Sequence, residues 1–451
     1  MNNLDRLKRA GLFDEKVPRY TSYPPATKFH AGVGCDEYEQ WISGLAAGTD
    51  ISLYIHIPFC HRLCWYCACR TQGVKTLTPV AAYVEVLKKE IARLAALLPE
   101  GVRISRMHWG GGSPTILTPE LSVDLLETLR EALPLSSDLD FSVEIDPTGA
   151  DEAKMQALVE NGMTRASIGV QDFALTVQKA IGRLQGYEIT RDCIETLRRA
   201  GIASLNIDIV YGLPFQSIEG LTRTVEKVIS LRPDRVALFG YAHVPWMAKR
   251  QQMIDEAALP DTETRLALFN RAVSQFNGAG YDSIGIDHFA LPTDTLAAAA
   301  RTGRLRRNFQ GYTDDNCKVL LGVGASSISK LPQGYLQNRA ATSSYLKAVN
   351  AGDCPIARGF ELTEYDKVFG RAIEMIMCEF GVSLPRLREE FGELTDAVLP
   401  GIDEVARLYP GLVKTGAEGF ALTDSGRLIA RIVARRFDNY RESASRYSQA
   451  I

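Results

Sequence analysis

Apolar and polar residues alternate with a period of two in short runs spread over the first half of the chain. The runs are "ISLYIHIPF" (51–59), "RISRMHWGG" (103–111), "DFSVEID" (140–146), "RASIGVQDF" (165–173), "SLNIDIVYG" (204–212) and "RVALFGYAH" (235–243). Such alternation predicts strands. Helical periodicity fills the gaps. In "PELSVDLLETLREAL" (119–133), Thr118 occupies the cap position and Pro119 the first helical position, both favourable helix starts. "ADEAKMQALVENG" (150–162) ends in glycine, a usual helix stop. Strand–helix units repeated six times predict parallel strands joined by right-handed crossovers.

The alternation also assigns the faces of each strand. Ile51, Leu53, Ile55 and Ile57 share one face, opposite Tyr54 and His56. Val143 and Ile145 oppose Ser142 and Glu144; Ile168 and Val170 oppose Ser167, Gly169 and Gln171; Leu205, Ile207 and Ile209 oppose Asn206 and Asp208. Helices must cover the apolar faces, so the polar faces point inward. A closed eight-stranded barrel fills its interior with branched apolar side chains. Six strands with polar inner faces instead predict an α/β fold of the partial (β/α)6 barrel type, open and wrapped around a polar ligand.

After about residue 375 the pattern shifts to short helices, a strand pair "LVKTG/GFALT" and a final helix. In that helix Leu428, Ile429, Ile432, Val433 and Phe437 form an apolar stripe, with Arg427, Arg431 and Arg435 on another face. The expected organisation is an N-terminal arm (1–45), a barrel domain with an extension (46–375) and a mainly helical, winged-helix-like C-terminal domain (376–451). The arginine face is expected to be solvated or to cover a ligand.

Composition narrows the function. At 451 residues with 46% hydrophobic side chains, the chain can bury a large core. A net charge of −3 gives no global attraction to nucleic acid or anionic membrane. The N-terminal stretch has no apolar core of a secretory signal, and no uncharged apolar run reaches the ~20 residues that span a bilayer. The expected compartment is the cytoplasm, where thiols stay reduced. Four cysteines nevertheless crowd into "HIPFCHRLCWYCACR" (56–70): Cys60, Cys64, Cys67 and Cys69. Buried structural cysteines would be scattered. Zinc sites usually draw two ligand pairs from either side of a longer loop. A redox CxxC normally precedes a helix in a thioredoxin-like unit, whereas Cys64 and Cys67 follow a strand. An iron–sulfur cluster held by thiolates fits best.

Cys60-x3-Cys64-x2-Cys67 resembles the signature of the radical S-adenosylmethionine (SAM) superfamily. The resemblance implies a [4Fe-4S] cluster on these three thiolates and a fourth iron that chelates SAM. It extends further. "PRYTSYP" (18–24), "YIHIPFCHRLCWYCAC" (54–69), "HWGGGSPT" (108–115), "GVQDF" (169–173), "NIDIVYGLP" (206–214), "DHFA" (287–290) and "NFQGYT" (308–313) are similar to the oxygen-independent coproporphyrinogen III oxidase family of haem synthesis. Departures are mild: Ala68 and Arg70 flank Cys69, Ser113 replaces Thr, and Ile286 replaces Met.

That family implies oxidative decarboxylation of two propionates of coproporphyrinogen III to vinyl groups, giving protoporphyrinogen IX through a 5′-deoxyadenosyl radical. By resemblance, Tyr54, Tyr66, Gly111, Glu144 and Ile328 contact the SAM on the cluster. Gly112, Ser113, Gln171, Arg183, Asp208 and Ala242 match a second SAM site. Tyr54, Glu144, Gln310, Ile328 and Cys69 fall at catalytic positions. Arg19, Arg306, Arg307 and Gln310 are candidates for substrate carboxylates, and His288 reads as a satisfied barrel histidine. The expected partners are the substrate, a flavodoxin- or ferredoxin-like electron donor and an electron acceptor, with no nucleic acid, no membrane and a monomeric chain. A haem-binding chaperone of the same superfamily is the competing reading. Its members generally lack the cysteine at position 69 and the 18–24 arm, and both are present.

Overall fold

The computed structural model describes residues 3–441, 447 and 449–451; parts of the expected arm and C-terminal domain (1, 2, 442–446 and 448) lie outside these. Six strands appear where the alternation placed them: β1 (Asp50–Ile57), β2 (Arg103–Gly111), β3 (Leu135–Ile145), β4 (Arg165–Gln171), β5 (Ser204–Tyr211) and β6 (Arg235–Gly240). They pair in parallel in that order. Their sheet is larger than expected. It continues through β7 (Asp282–Ile284), β8 (His288–Ala290), β9 (Val319–Val323), β10 (Ile328–Leu331), β11 (Gly334–Asn338) and β12 (Ile356–Glu361), in the order β12-β11-β10-β9-β1-β2-β3-β4-β5-β6-β8-β7. β9 runs parallel to β1, from Ile51↔Val319 to Ile55↔Val323. The parallel wall therefore has a seventh strand, and the remaining strands extend both edges antiparallel. "VLLGV" lacks the period-two alternation that marked the other six.

Helix ends follow local chemistry. Thr118 accepts from the Leu121 amide at the start of Pro119–Ala132, and Asp151 accepts from the Lys154 amide at the start of Glu152–Glu160. The outward strand face is as expected: Ile51, Leu53, Ile55 and Ile57 are buried in one core with Val84, Leu87 and Ile91 of α1 (Thr78–Leu97). Register aligns the inward face. Tyr54 lies beside His108 and His108 beside Ser142, while Glu144 lies beside Ser167 and Ser167 beside Asn206.

The C-terminal region departs in detail. Its strand pair, Val413–Gly416 with Gly419–Leu422, gains a third strand, Gly381–Ser383. The boundary expected at 375/376 falls inside the continuous helix Glu364–Glu379. The final helix is broken into 3-10, α and 3-10 turns over Ser425–Phe437, although Ile429, Ile432, Val433 and Phe437 are buried as the stripe required. Two of its arginines are neither solvated nor spare. Arg431 donates to the carbonyls of Val17, Pro18, Gln449 and Ala450, and Arg435 reaches Glu15. They clasp the N-terminal arm. Away from the cysteine cluster, Cys35 and Cys354 form a disulfide, a correction to the expectation of reduced thiols throughout. No described helix is long and apolar enough to cross a membrane.

Candidate active site

The cysteine loop leaves the C-terminal end of β1. A short parallel pairing of Phe59–Cys60 with Gln72–Gly73 closes its base. Ile181 accepts from the Trp65 amide at 2.9 Å, Gln251 donates to the Tyr66 carbonyl at 2.7 Å, and Arg250 donates to the Cys69 carbonyl at 2.9 Å. Sequence reasoning missed Arg250 and Gln251, which lie in an undistinguished polar stretch far along the chain.

The thiols have the chemistry a cluster requires. Cys67 is pulled down to about 6: the Cys69 thiol donates to it, burial opposes, and the Cys69 amide (3.4 Å), Arg250 and Arg183 favour the thiolate. Arg183 donates to Cys64 Sγ at 3.5 Å. Burial and the neighbouring sulfurs push Cys60 up to about 12, so this thiol needs a metal to lose its proton. Among the described residues no three His, Cys, Asp or Glu side chains are drawn together tightly enough for a single ion. Arg183 at Cys64 Sγ and Arg250 at the loop backbone bring positive charge to these free thiols, which suits an anionic iron–sulfur cluster.

Inside the barrel is a cavity of about 600 Å³. Tyr54, Cys69, Gly111, Glu144, Asp208, Gln310 and Ile328 all reach it, so seven strands or loops far apart in sequence converge. The Tyr54 ring stacks between His56 and His108 at 6.0 and 5.8 Å. Glu144 accepts from the Gly111 amide at 3.0 Å and meets His108 Nε2 at 3.2 Å. Burial works against its charge, yet His108 and the Gly111 amide hold its carboxyl below the usual range. Asp208 is the opposite case: burial, reinforced by Glu144, raises it to about 6, although Asn206 donates to it at 2.7 Å.

The glycines of "GGGSPT" serve the fold as much as a ligand. A Cβ on Gly111 (φ +108°) would lie 1.8 Å from His56 Cδ2, and one on Gly112 would lie 2.5 Å from the Phe59 carbonyl oxygen. The loop locks onto the end of β1 through Gly112 N to Ile57 O and Ser113 N to Phe59 O, both 2.9 Å.

The segment bearing Ile328 is also held from outside. Glu90 of α1 accepts from the Gly324 amide at 2.8 Å and from Asn338 at 2.6 Å, and burial raises its carboxyl to about 7. Tyr83 bridges the His56 carbonyl and the Ala325 amide. Both residues read as ordinary helix positions in sequence.

The second group of predicted residues is less compact. Arg183 is buried beside the cysteine loop and bonds Gly169, Gln185 and Asp146. Gln171 is buried with φ +69°. Tyr66, Gly112 and Ser113 stand near the loop. Ala242 instead lines a second, larger chamber of about 940 Å³, beyond β6. His288 is common to both cavities, with Nδ1 2.7 Å from Asp287. Arg306 faces neither cavity; its guanidinium meets local carbonyls and Glu374.

The Radical SAM superfamily model matches residues 54–228. The chain is 55% identical to "Coproporphyrinogen III oxidase, anaerobic 1" of Cereibacter sphaeroides and 49% identical to the "Oxygen-independent coproporphyrinogen III oxidase" of Paracoccus denitrificans, each over 451 residues and all of both chains. A solved structure of coproporphyrinogen III oxidase (HemN) from Escherichia coli superimposes with a TM-score of 0.90 at 35% identity, covering 94% of this chain and 98% of that one. With the barrel, the thiol loop and the polar cavity in agreement, the chain belongs to the oxygen-independent coproporphyrinogen III oxidases, radical SAM enzymes that carry a [4Fe-4S] cluster and use SAM.

Proposed function

We propose that the protein converts coproporphyrinogen III to protoporphyrinogen IX, with Cys60, Cys64 and Cys67 as cluster ligands and two SAM molecules bound. The observation that carries this reading is the convergence of Tyr54, Gly111, Glu144 and Ile328 on one cavity beside the thiol loop. When bound, the cluster and SAM would supply the radical chemistry that removes hydrogen from the propionate β-carbon.

The protein's own share is binding and exclusion. Cys60, Cys64 and Cys67 would hold the cluster. Glu144, ionised and held by His108, offers acceptors to an ammonium or hydroxyls. The stack of Tyr54 on the two histidines walls the reacting space with rings and keeps water out. Cys69 faces the cavity as a thiol, since its bond to Cys67 and that sulfur's charge push its own ionisation well up. It is proposed to act in turnover, not ligation. Arg183 and Asp208 are proposed for the second SAM, by charge pairing with its carboxylate and by accepting from an amine or ribose hydroxyls. A flavodoxin- or ferredoxin-like donor and a cytoplasmic monomer complete the proposal.

Anaerobic incubation with reductant, SAM, coproporphyrinogen III and an electron acceptor, followed by oxidation and chromatography, tests it. Protoporphyrin should form together with methionine and 5′-deoxyadenosine, and Cys64→Ala should give none. Tight haem binding without vinyl product from cluster-loaded protein would favour the chaperone reading.

A further inference from the structure

The larger chamber has a wall that the reaction centre does not explain. Five guanidiniums reach it from four separate parts of the chain: Arg19 from the N-terminal arm, Arg265 from the helix Thr262–Gly278, Arg307 from the Arg306–Asn308 strand, and Arg427 and Arg431 from the C-terminal domain. The described side-chain carboxylates in this wall are Asp287 and Asp424, and Asp424 lies 3.1 Å from Arg427. Arg431 is occupied by backbone carbonyls of the arm and the C-terminal segment, so Asp287 is the side-chain carboxylate that faces Arg19, Arg265 and Arg307.

Their hydrogen bonding is also incomplete. Arg307 Nη1 is buried without a partner, and its closest carboxylate oxygen, on Asp287, is 4.0 Å away. Arg265 Nε is buried and unpartnered as well. Arg19 uses one nitrogen on the Gly240 carbonyl at the end of β6 (2.9 Å) and otherwise faces the chamber. Burial, compounded by the neighbouring arginines, lowers Arg431 to about 9, while Arg19 stays solvent-exposed at the chamber. Guanidiniums gathered in this way are unfavourable unless an anion completes them.

We infer that this chamber anchors the carboxylate arms of the macrocycle that do not react, with Arg19 and Arg307 as their direct partners. The inference rests on the oxidase reading. Coproporphyrinogen III carries four propionates, and two survive the reaction. The chamber meets the reaction cavity at His288, so a ring lying across that residue can present one side to Glu144 and Asp208 and the other to the arginines. Tyr211 and Phe269 supply apolar wall for the ring. Because Arg19 and Arg431 come from outside the barrel, the chamber is complete only when the arm is docked.

Coproporphyrin III, the stable aromatic form of the macrocycle, and its tetramethyl ester can be titrated into the cluster-loaded enzyme and read by porphyrin absorbance. The free acid should bind at least tenfold more tightly than the ester. Arg19→Gln and Arg307→Gln should each weaken acid binding by about ten- to a hundredfold, the effect of losing a charged hydrogen-bond partner, and leave ester binding and cluster absorbance unchanged. Arg191→Gln, on the outer surface beside Asp192, should change neither. Equal affinity for acid and ester in the wild type would overturn the inference without requiring any variant to fold. If that protein still forms vinyl product, only the chamber assignment falls. If neither porphyrin binds and no product forms, the chamber falls with the oxidase reading.

Discussion

Two arginine clusters lie at opposite ends of the barrel and are balanced in opposite ways. At the N-terminal ends of the strands, Arg106, Arg165 and Arg235 surround Asp314 at 2.7, 3.5 and 3.1 Å, with Asp140 and Asp294 completing the pairing at 3.2–3.4 and 2.7 Å. At the C-terminal end, Arg19, Arg265 and Arg307 share a wall with Asp287, and Arg265 and Arg307 each retain a buried unpartnered nitrogen. Residue type is the same in both places. The difference is whether the protein supplies the counter-charge, and that separates a structural plug from a site awaiting an anion.

The largest effect expected from breaking this contrast is at the plug. Asp314→Asn should reduce stability by about 3 kcal/mol, because it removes the carboxylate shared by three half-buried arginines, while leaving the KM for coproporphyrinogen within twofold. Urea unfolding measures the first and turnover the second. The pH dependence has a definite sign. Burial alone would raise the Asp314 carboxyl, but Arg235, Arg165 and Arg106 hold it well below its unfolded value. Its stabilisation is therefore fully present above about pH 4 and is lost as pH falls further; Asp314→Asn should flatten that acid limb.

Arg307→Gln should show the mirror image. KM for coproporphyrinogen should rise about ten- to a hundredfold, whereas stability should change by less than about 1 kcal/mol because no protein carboxylate is paired with it at hydrogen-bond distance. A large stability loss here would make this cluster structural as well.

A smaller effect belongs to the boundary between the cavities. Asp208 is raised to about 6 by burial. Binding of the second SAM, which is proposed to need the carboxylate, should weaken by up to about tenfold per pH unit below that value, and Asp208→Asn should abolish the dependence. Equilibrium dialysis from pH 5 to 8 measures it. The smallest effect is at the chamber rim: Arg427 is half-exposed and bound to Asp424, so Arg427→Gln should change stability by about 0–1 kcal/mol and porphyrin affinity by less than threefold.

The parts of this arrangement legible in sequence are those written in local period and spacing. Alternation in β1 and β3 placed Tyr54, His56, Ser142 and Glu144 on the inner face, and the cysteine spacing marked the thiol loop that the structure sets beside their cavity. Arg19 and Arg307 were suspected as carboxylate ligands from their position along the chain, but nothing local distinguishes them from Arg306, which faces neither cavity. Charge balance is a property of tertiary contacts: Asp314 meets Arg106 across 208 residues, and Arg431 meets Val17 across 414. For the same reason Arg431 and Arg435, read as part of a solvated or ligand-covering face, proved to hold the arm, while Arg427 and Arg431 line the larger chamber, and Glu90, an ordinary helix position in sequence, proved to support the loop before Ile328. The seventh parallel strand escaped because five apolar residues without alternation carry no face assignment.

The central claim is that a radical generated in the barrel removes hydrogen from propionate β-carbons held beside Glu144. Coproporphyrinogen III deuterated at those carbons tests it most directly. Under anaerobic turnover the account predicts deuterium in 5′-deoxyadenosine, in step with the vinyl groups formed. Vinyl product accompanied by unlabelled 5′-deoxyadenosine would contradict it.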